Sequence, residues 1–249
     1  MVKKRWGMIT GAAVGVILLT TAVSAFMGEE IEKSAGKGLQ RMECREMETE
    51  KEVGQGDQKD NLLILVNKEH PIPENYEVEL HWLNNGKNAV AEQMYEALRD
   101  MLTDGSEEGC DFVVASGYRS KEYQQQLLDE DIAASMAKGM AYQEAYDEET
   151  KETMPPGYSE HETGLAVDIA SVSYQILDKG QEDTKENQWL RENCSTYGFI
   201  LRYPQNKEEI TEISYEPWHF RYVGKEVAAE IMEKGITLEE YLESDITGR

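Results

Sequence analysis

The sequence predicts an α+β fold, a single domain in which helices flank a mostly antiparallel central sheet. Two observations predict it. Strand and helix patterns are interleaved along the chain but do not alternate evenly, which disfavours a doubly wound parallel sheet. The chain has 249 residues and is 40% hydrophobic, which is enough for one medium-sized domain with a core, plus appendages.

Periodicity and chain breakers predict the individual elements. Apolar residues recur at helical spacing in several segments, and short apolar runs between turn signals predict strands. The predicted helices span 89–102, 121–138, 184–197 and 225–234, and the predicted strands span 111–115, 165–170, 200–203 and 218–223. Thr237 and Glu240 form a capping-box pattern, which predicts one more short helix near the C-terminal end.

The N-terminal segment 1–28 predicts that the rest of the chain lies outside the cytoplasm. Lys3, Lys4 and Arg5 precede an uncharged, mostly apolar stretch that is long enough to span a bilayer as a helix. Basic residues stay on the cytoplasmic side, so the segment is expected to anchor the chain with its remainder outside. The alternative is a signal peptide cleaved near Ala25, which would give a secreted protein.

Composition indicates where the globular domain begins and which partners are not expected. Residues 29–60 are dense in Glu, Lys, Gly and Gln, which is typical of an acidic flexible linker, so the globular domain is expected at 61–249. A net charge of -24 repels phosphates, so nucleic acid is not an expected partner. Cys44, Cys110 and Cys194 form no CxxC pair, so a thiolate zinc site is not expected. Cys110 and Cys194 either pair or remain as buried free thiols.

Two short stretches carry candidate metal ligands. His161 stands in a turn before a predicted strand, and Asp168 lies inside that apolar strand, where a buried carboxylate needs a compensating charge. Gly164 permits the sharp turn that brings His161 back toward Asp168. In the second stretch, Glu216-Pro217-Trp218-His219, the proline excludes a helix, and we expect an extended segment. Two imidazoles and one carboxylate leave a zinc ion with an open fourth position, which is typical of catalytic sites.

Three stretches together resemble a known family. They are SGYRS at 116–120, SEHETGLAVDI at 159–169 and EPWHFRYVG at 216–224. In order and spacing they resemble the VanY-type D-alanyl-D-alanine carboxypeptidases, with the related LD-carboxypeptidases and VanX-type dipeptidases. The resemblance extends over about 61–235 and implies a hedgehog/DD-peptidase-like fold.

The resemblance implies a role for each matching residue. One Zn²⁺ per chain would be held by His161, Asp168 and His219, with Glu216 as the general base. Arg119 would bind the terminal carboxylate of the substrate or stabilise the oxyanion, with a structural ion pair as the alternative. Gln124 would donate to the substrate tail, and Ser159 would line the pocket or cap a turn. Nickel or cobalt would also suit these ligands.

Other residues near these motifs are expected to be structural or to modify the pocket. Trp218, Tyr222, Tyr118 and Tyr158 either shape the pocket or pack in the core. His70 and His81 are expected to be structural or on the surface, and Glu160 and Glu162 are expected to face solvent. Glu212 is expected to add a carboxylate at the pocket rim, where the family usually has glycine. The acidic insert 133–153 is expected to form a lid.

The expected reaction is zinc-dependent hydrolysis of the last peptide bond of a peptidoglycan stem peptide, which releases terminal D-alanine. An LD-carboxypeptidase or an endopeptidase acting on the same stem peptides is the alternative within enzymes. A catalytically silent wall-binding domain is the alternative of another class, and it is disfavoured because all four positions of the site are filled. We expect a monomer at the extracytoplasmic face of the bacterial cell membrane.

Overall fold

The computed structural model describes residues 62–83 and 86–246. The predicted anchor or signal peptide at 1–28 and the predicted linker at 29–60, with Cys44, lie outside these residues. Within the described ranges, no helix combines the length and the apolar character that crossing a bilayer requires.

A four-stranded antiparallel sheet forms the centre of the domain. Its strands are β3 (Phe112–Ser116), β4 (Ala166–Ser171), β5 (Phe199–Leu201) and β6 (His219–Tyr222), in the order β3-β4-β6-β5. A smaller antiparallel pair consists of β1 (Leu80–Trp82) and β2 (Ala89–Ala91). The α+β class with a mostly antiparallel sheet is therefore confirmed.

The described chain also contains seven α-helices. They are α1 (Glu92–Glu107), α2 (Lys121–Ala137), α3 (Tyr142–Glu149), α4 (Lys185–Asn193), α5 (Glu208–Thr211), α6 (Lys225–Lys234) and α7 (Leu238–Ile246). At the start of α7, the Thr237 N–H donates to Glu240 Oε2 at 2.8 Å and the Glu240 N–H donates to Thr237 Oγ1 at 3.2 Å. These reciprocal bonds confirm the predicted capping box.

The predicted start of the first helix at Ala89 was wrong. Residues Ala89–Ala91 pair with Leu80–Trp82 as a strand, and the helix begins only at Glu92. Val90 and Ala91 are fully buried in this strand, so tertiary packing overrides the helical spacing of the apolar residues. The helix predicted at 184–197 also ends early, because its last turn, Cys194–Tyr197, is a 3₁₀ helix.

The central sheet separates the main core from the polar site. On β4, Val167 and Ile169 belong to the core cluster that includes Met94 and Leu98 of α1. Because successive side chains of a strand point to opposite faces, Asp168 projects to the other side. On β6, Phe220 likewise joins the core, whereas His219 does not. The alternation of strand side chains thus places polar groups of two neighbouring strands on one buried face.

Candidate metal centre and active site

The fold brings the three predicted ligands together. Asp168 and His219 are register partners across β4 and β6, and His161 lies in a 3₁₀ turn, Glu160–Thr163, just before β4. One ligand atom from each of the three residues lies within 4.8 Å of the others. All three residues are at most 4% exposed. Their role as ligands stays a prediction, but their geometry is that of one cage.

Two glycines permit the close approach of the chain segments at this cage. Gly164 ends the 3₁₀ turn with a φ of 72°, a left-handed conformation that turns the chain into β4. Gly117 packs so closely that a Cβ there would lie 2.3 Å from the Ala89 carbonyl oxygen. The Gly117 carbonyl in turn accepts a hydrogen bond from His161 Nδ1 at 2.8 Å. The SGYRS stretch thus supports the first histidine directly.

Glu216 reaches the same cage through a turn. The His219 N–H donates to the Glu216 carbonyl at 3.3 Å, so the segment predicted to be extended is a tight turn around Pro217 and Trp218. The side-chain amide of Asn187 on α4 donates to the Pro217 carbonyl and holds this turn. The turn places both side chains on the cage, with Glu216 Oε2 3.6 Å from His219 Nδ1.

Hydrogen-bond partners assign one ring nitrogen of each histidine to the cage. His161 Nδ1 donates to the Gly117 carbonyl, which leaves Nε2 facing Asp168 Oδ2 at 3.3 Å. His219 Nε2 donates to Glu160 Oε2 at 3.4 Å, which leaves Nδ1 facing Asp168 Oδ1 at 3.3 Å. With both rings neutral, lone pairs of nitrogen face lone pairs of the carboxylate on both sides of Asp168.

These contacts fit a divalent cation. The Asp168 Oδ1 atom is buried and has no hydrogen-bond partner among the described residues. A buried carboxylate oxygen opposed by a histidine lone pair needs a positive charge between them. Two imidazoles and one carboxylate, each oriented by outer hydrogen bonds, form a donor set that zinc prefers.

A buried ion-pair network lies behind the cage and corrects one prediction. Glu160 was expected to face solvent, but its side chain is completely buried. Its Oε1 atom accepts from Arg202 Nε at 2.7 Å and from Arg221 Nη1 at 2.8 Å. Burial raises the pKa of Glu160, but the charges of Arg202 and Arg221 outweigh burial and hold that pKa well below its usual range. The prediction failed because both arginines are distant from Glu160 in the sequence.

Glu162 was also wrongly expected to face solvent. It is 5% exposed, and its Oε1 atom accepts the Gly157 N–H at 2.7 Å, which fixes the turn after Pro155 and Pro156. Burial raises the pKa of Glu162.

The cage opens into a cavity of about 330 Å³. Its walls include the predicted residues Arg119, Gln124, Ser159 and Trp218. Further wall residues were not singled out from the sequence: Asp131, Glu152, Met154, Leu177, Tyr203 and Ile213. Tyr203 packs its ring against His219 with 4.8 Å between the ring centroids. Residues outside recognisable motifs carry no sequence signal for such a role.

The predicted substrate-binding residues are close to the cage and to one another. Arg119 Nη2 contacts Asp168 Oδ2 at 2.8 Å, and its Nε donates to Ser116 Oγ at 2.8 Å. Gln124 is fully buried and its amide donates to the Met154 carbonyl at 2.7 Å. Its Oε1 atom accepts from Arg119 Nη1 at 3.4 Å. Gln124 therefore orients Arg119, and its predicted contact with the substrate tail stays a prediction.

Burial and neighbouring charges shift the ionisable groups of the site. Burial raises the pKa of Glu216 to about 8, and the nearby Asp168 and Glu152 carboxylates act in the same direction. Burial lowers the pKa of His219, but the neighbouring Asp168 and Glu160 carboxylates outweigh it and raise that pKa to about 9. A metal ion that binds here therefore displaces a proton, and its own charge would then favour the ionised form of Glu216.

Tyr222, His81 and Glu212 all lie outside the cavity wall. Tyr222 packs on Phe199 in the core, and His81 stacks on Tyr95 at the surface. Glu212 is exposed with a φ of 57°, and it does not line the cavity, so the expected carboxylate at the rim was wrong. A left-handed φ explains why glycine is usual there.

The acidic insert 133–153 and the two described cysteines have defined positions in the domain. Helix α3 of the insert packs against α2, and only Glu152 and Thr153 at its end reach the cavity wall. Cys110 and Cys194 are both free and buried, so the alternative of buried thiols is confirmed for this pair.

Comparison with known proteins agrees with this geometry. The family profile described as VanY, D-alanyl-D-alanine carboxypeptidase, matches residues 87–225. The chain belongs to the VanY family. A D-alanyl-D-alanine carboxypeptidase of Enterococcus faecalis is 44% identical over 191 residues, which cover 77% of this chain and 69% of the relative. The resemblance inferred from the three motifs is therefore confirmed.

Solved structures of the VanY family share the fold. VanYB in complex with D-alanine-D-alanine is 44% identical with a TM-score of 0.68, and covers 74% of this chain and 98% of that structure. A VanY D,D-pentapeptidase variant in complex with Zn(II) is 42% identical with a TM-score of 0.67. The match covers 73% of this chain and 99% of that structure. Solved LD-carboxypeptidases also share the fold, at 36% and 31% identity.

Proposed function

We propose that this protein is a zinc-dependent D-alanyl-D-alanine carboxypeptidase that removes the terminal D-alanine from peptidoglycan stem peptides. The observation that carries the proposal is the cage of His161, Asp168 and His219 with Glu216 beside it, at the base of a cavity. Membership of the VanY family and the zinc-bound and D-alanine-D-alanine-bound relatives support the same metal and substrate class.

The three ligands would hold one zinc ion per chain through His161 Nε2, an Asp168 carboxylate oxygen and His219 Nδ1. When bound, zinc lowers the pKa of water and polarises a carbonyl group. The protein contributes the orientation of these groups, because both histidines and Asp168 are fixed by buried hydrogen bonds and ion pairs. Trp218 and Tyr203 line the same cavity.

Glu216 moves the proton during hydrolysis. Its ionised carboxylate accepts a proton from the attacking water as the new C–O bond forms at the scissile carbonyl carbon. The same carboxylate then delivers this proton to the leaving nitrogen as the C–N bond breaks, which releases D-alanine with a free amine. Its Oε2 atom is 3.6 Å from His219 Nδ1, which places it beside the group formed by His161, Asp168 and His219.

Arg119 supplies positive charge at the cavity end of the cage. Its side chain is 16% exposed, and its guanidinium contacts both Asp168 and Gln124. A planar, permanently charged group suits a substrate carboxylate or the oxyanion that develops at the scissile carbonyl. The ion pair expected as the alternative is also present, with Nη2 2.8 Å from Asp168 Oδ2, so Arg119 would steady a predicted ligand as well.

A DD-specific reaction is favoured over LD-specific cleavage. The relatives named for D-alanyl-D-alanine or D,D-peptides are 42–44% identical to this chain, whereas the LD-carboxypeptidase LdcB is 36% identical. In the direct test, the full chain is incubated with a pentapeptide stem that ends in D-alanyl-D-alanine and, separately, with the matching tetrapeptide. Mass spectrometry then identifies the products. We expect loss of one D-alanine from the pentapeptide. Cleavage of the tetrapeptide alone would overturn DD-specificity.

The cellular location and the oligomeric state belong to the same proposal. The basic residues before the apolar segment 1–28 support an anchored catalytic domain at the extracytoplasmic face of the bacterial membrane, and cleavage near Ala25 is the alternative. A single chain supplies all four groups of the site, which supports a monomer. Protease treatment of intact cells tests the location, since an exported domain would be degraded while cytoplasmic proteins survive.

A further inference from the structure

We propose that Glu160 is a positioning residue that fixes His219 as an Nδ1 ligand, and that buried Arg202 and Arg221 hold Glu160 in place for this task. The inference rests on the zinc site of the proposed function and adds a residue that the motif does not assign. It follows from the different partners of the two Glu160 carboxylate oxygens.

The two Glu160 oxygens have different partners. Oε1 accepts from both arginines, Arg202 Nε at 2.7 Å and Arg221 Nη1 at 2.8 Å. Oε2 faces His219 Nε2 at 3.4 Å. A purely structural ion pair would engage the arginines with both oxygens, since a fork-to-fork arrangement is the stronger one. Here one oxygen anchors the side chain and the other remains for the histidine.

The arginines are themselves fixed, so the carboxylate cannot rotate away. Arg202 makes a bidentate pair with Glu239 of α7, at 2.9 Å and 2.6 Å. Arg221 Nη2 donates to the carbonyls of Leu62 and Ile64, both at 2.9 Å. The Arg202, Arg221 and Glu160 side chains are fully buried, so water does not compete for these contacts. The network links α7 and the start of the described chain to the metal cage.

The arrangement determines which nitrogen of His219 can bind metal. An acceptor at Oε2 keeps the proton on Nε2 and leaves the Nδ1 lone pair for the cage, as carboxylate partners of metal-binding histidines do. A glutamine at position 160 would keep its oxygen for the arginines and turn its NH₂ group toward His219 Nε2. Donor would then face donor, and the ring orientation that serves the cage would lose its support.

The first test compares zinc affinity in two full-length variants. Glu160→Gln is expected to weaken zinc binding by about 10- to 100-fold, the usual effect of losing an outer partner of a metal-bound histidine. Glu162→Gln is the matched control, because Glu162 is buried in the same turn but accepts the Gly157 N–H. Chelator competition measures the affinity, and circular dichroism confirms that each variant is folded. Equal affinities in the two variants would overturn the proposal.

The second test needs no substitution and covers the case in which Glu160→Gln does not fold. Nitrogen-15 NMR of the zinc-loaded wild-type chain reports which imidazole nitrogen carries metal and which carries a proton. We expect zinc on Nδ1 and a slowly exchanging proton on Nε2 of His219, with the opposite assignment for His161. Zinc on Nε2 of His219 would overturn the proposal. Neither test measures turnover, so a zinc-binding but inactive chain would overturn the proposed function alone.

Discussion

Asp168 and His219 face each other across β4 and β6 as register partners, with Oδ1 and Nδ1 3.3 Å apart. Antiparallel pairing thus places a carboxylate and an imidazole from distant parts of the sequence on the same face of the sheet. His161 completes the cage from the turn that leads into β4. Two of the three predicted ligands therefore lie on strands of the central sheet, and sites built on strands are held more precisely than sites on loops.

Replacing Glu216 tests its role as general base. Glu216→Gln keeps the shape of the side chain but cannot accept a proton, so kcat on the pentapeptide is expected to fall about 10²- to 10⁴-fold. Zinc content, measured by atomic emission, is expected to stay at one per chain because Glu216 is not a ligand. Turnover near the wild-type level would contradict the mechanism.

Replacing His161 tests the cage itself. His161→Ala removes one of three ligands, and we expect the variant to be isolated with little zinc. Zinc at about 100 times its Kd stabilises a folded protein by about 2.7 kcal/mol, so added zinc should raise the Tm of the wild type clearly. The variant should show no such shift. Differential scanning calorimetry with and without zinc measures both, and an unchanged zinc-dependent shift in His161→Ala would argue against this ligand.

Replacing Arg119 distinguishes its two tasks. If it holds the terminal carboxylate, a pentapeptide with an amidated C-terminus loses as much kcat/KM with the wild type as the normal peptide loses with Arg119→Ala. If it stabilises the oxyanion, kcat falls with both peptides, by about 10²- to 10³-fold. Steady-state kinetics of the two enzymes with the two peptides separate the cases. Wild-type kinetics in Arg119→Ala would leave the arginine with only its ion pair to Asp168.

Replacing Gly117 tests the support beneath His161. A Cβ at this position would lie 2.3 Å from the Ala89 carbonyl oxygen, so Gly117→Ala must displace either β2 or the segment that follows β3. Overpacking of this kind costs about 1–3 kcal/mol, which urea unfolding would measure. Zinc affinity should fall as well, because the Gly117 carbonyl holds His161 Nδ1. A variant with unchanged stability and affinity would show that the close approach is not needed.

The two described cysteines offer a pH-dependent prediction. Burial raises the pKa of the Cys194 thiol to about 12, and burial also raises the pKa of Cys110. The thiolate is the reactive form, and a raised pKa keeps both groups protonated at pH 8. Ellman's reagent should therefore detect neither thiol in the native chain at pH 8, and both after unfolding in guanidinium. Rapid labelling of Cys194 in the native protein would contradict its burial.

The convergence of the three predicted ligands could be expected from the sequence because they lie in short stretches marked by local signals. Gly164 indicates a left-handed turn, Pro217 excludes a helix, and Asp168 interrupts an apolar strand. Each signal acts within a few residues and does not depend on the rest of the fold. The α+β class followed from the same kind of local pattern.

The parts that the sequence did not predict depend on distant contacts. Glu160 was assigned to solvent because its partners, Arg202 and Arg221, are 42 and 61 residues away. The strand at Ala89–Ala91 has helical spacing, and only its pairing with Leu80–Trp82 decides its conformation. Buried charge networks and short strand pairs both require tertiary structure before they can be recognised.

The most direct test of the central claim is a zinc titration of the chelator-treated full chain, with D-alanine release from the pentapeptide stem as the signal. We predict no release without metal and a linear rise that saturates at one zinc per chain. His161→Ala, carried through the same titration, should remain inactive at one equivalent. Undiminished release after complete removal of metal, or none at any zinc concentration, would contradict the account.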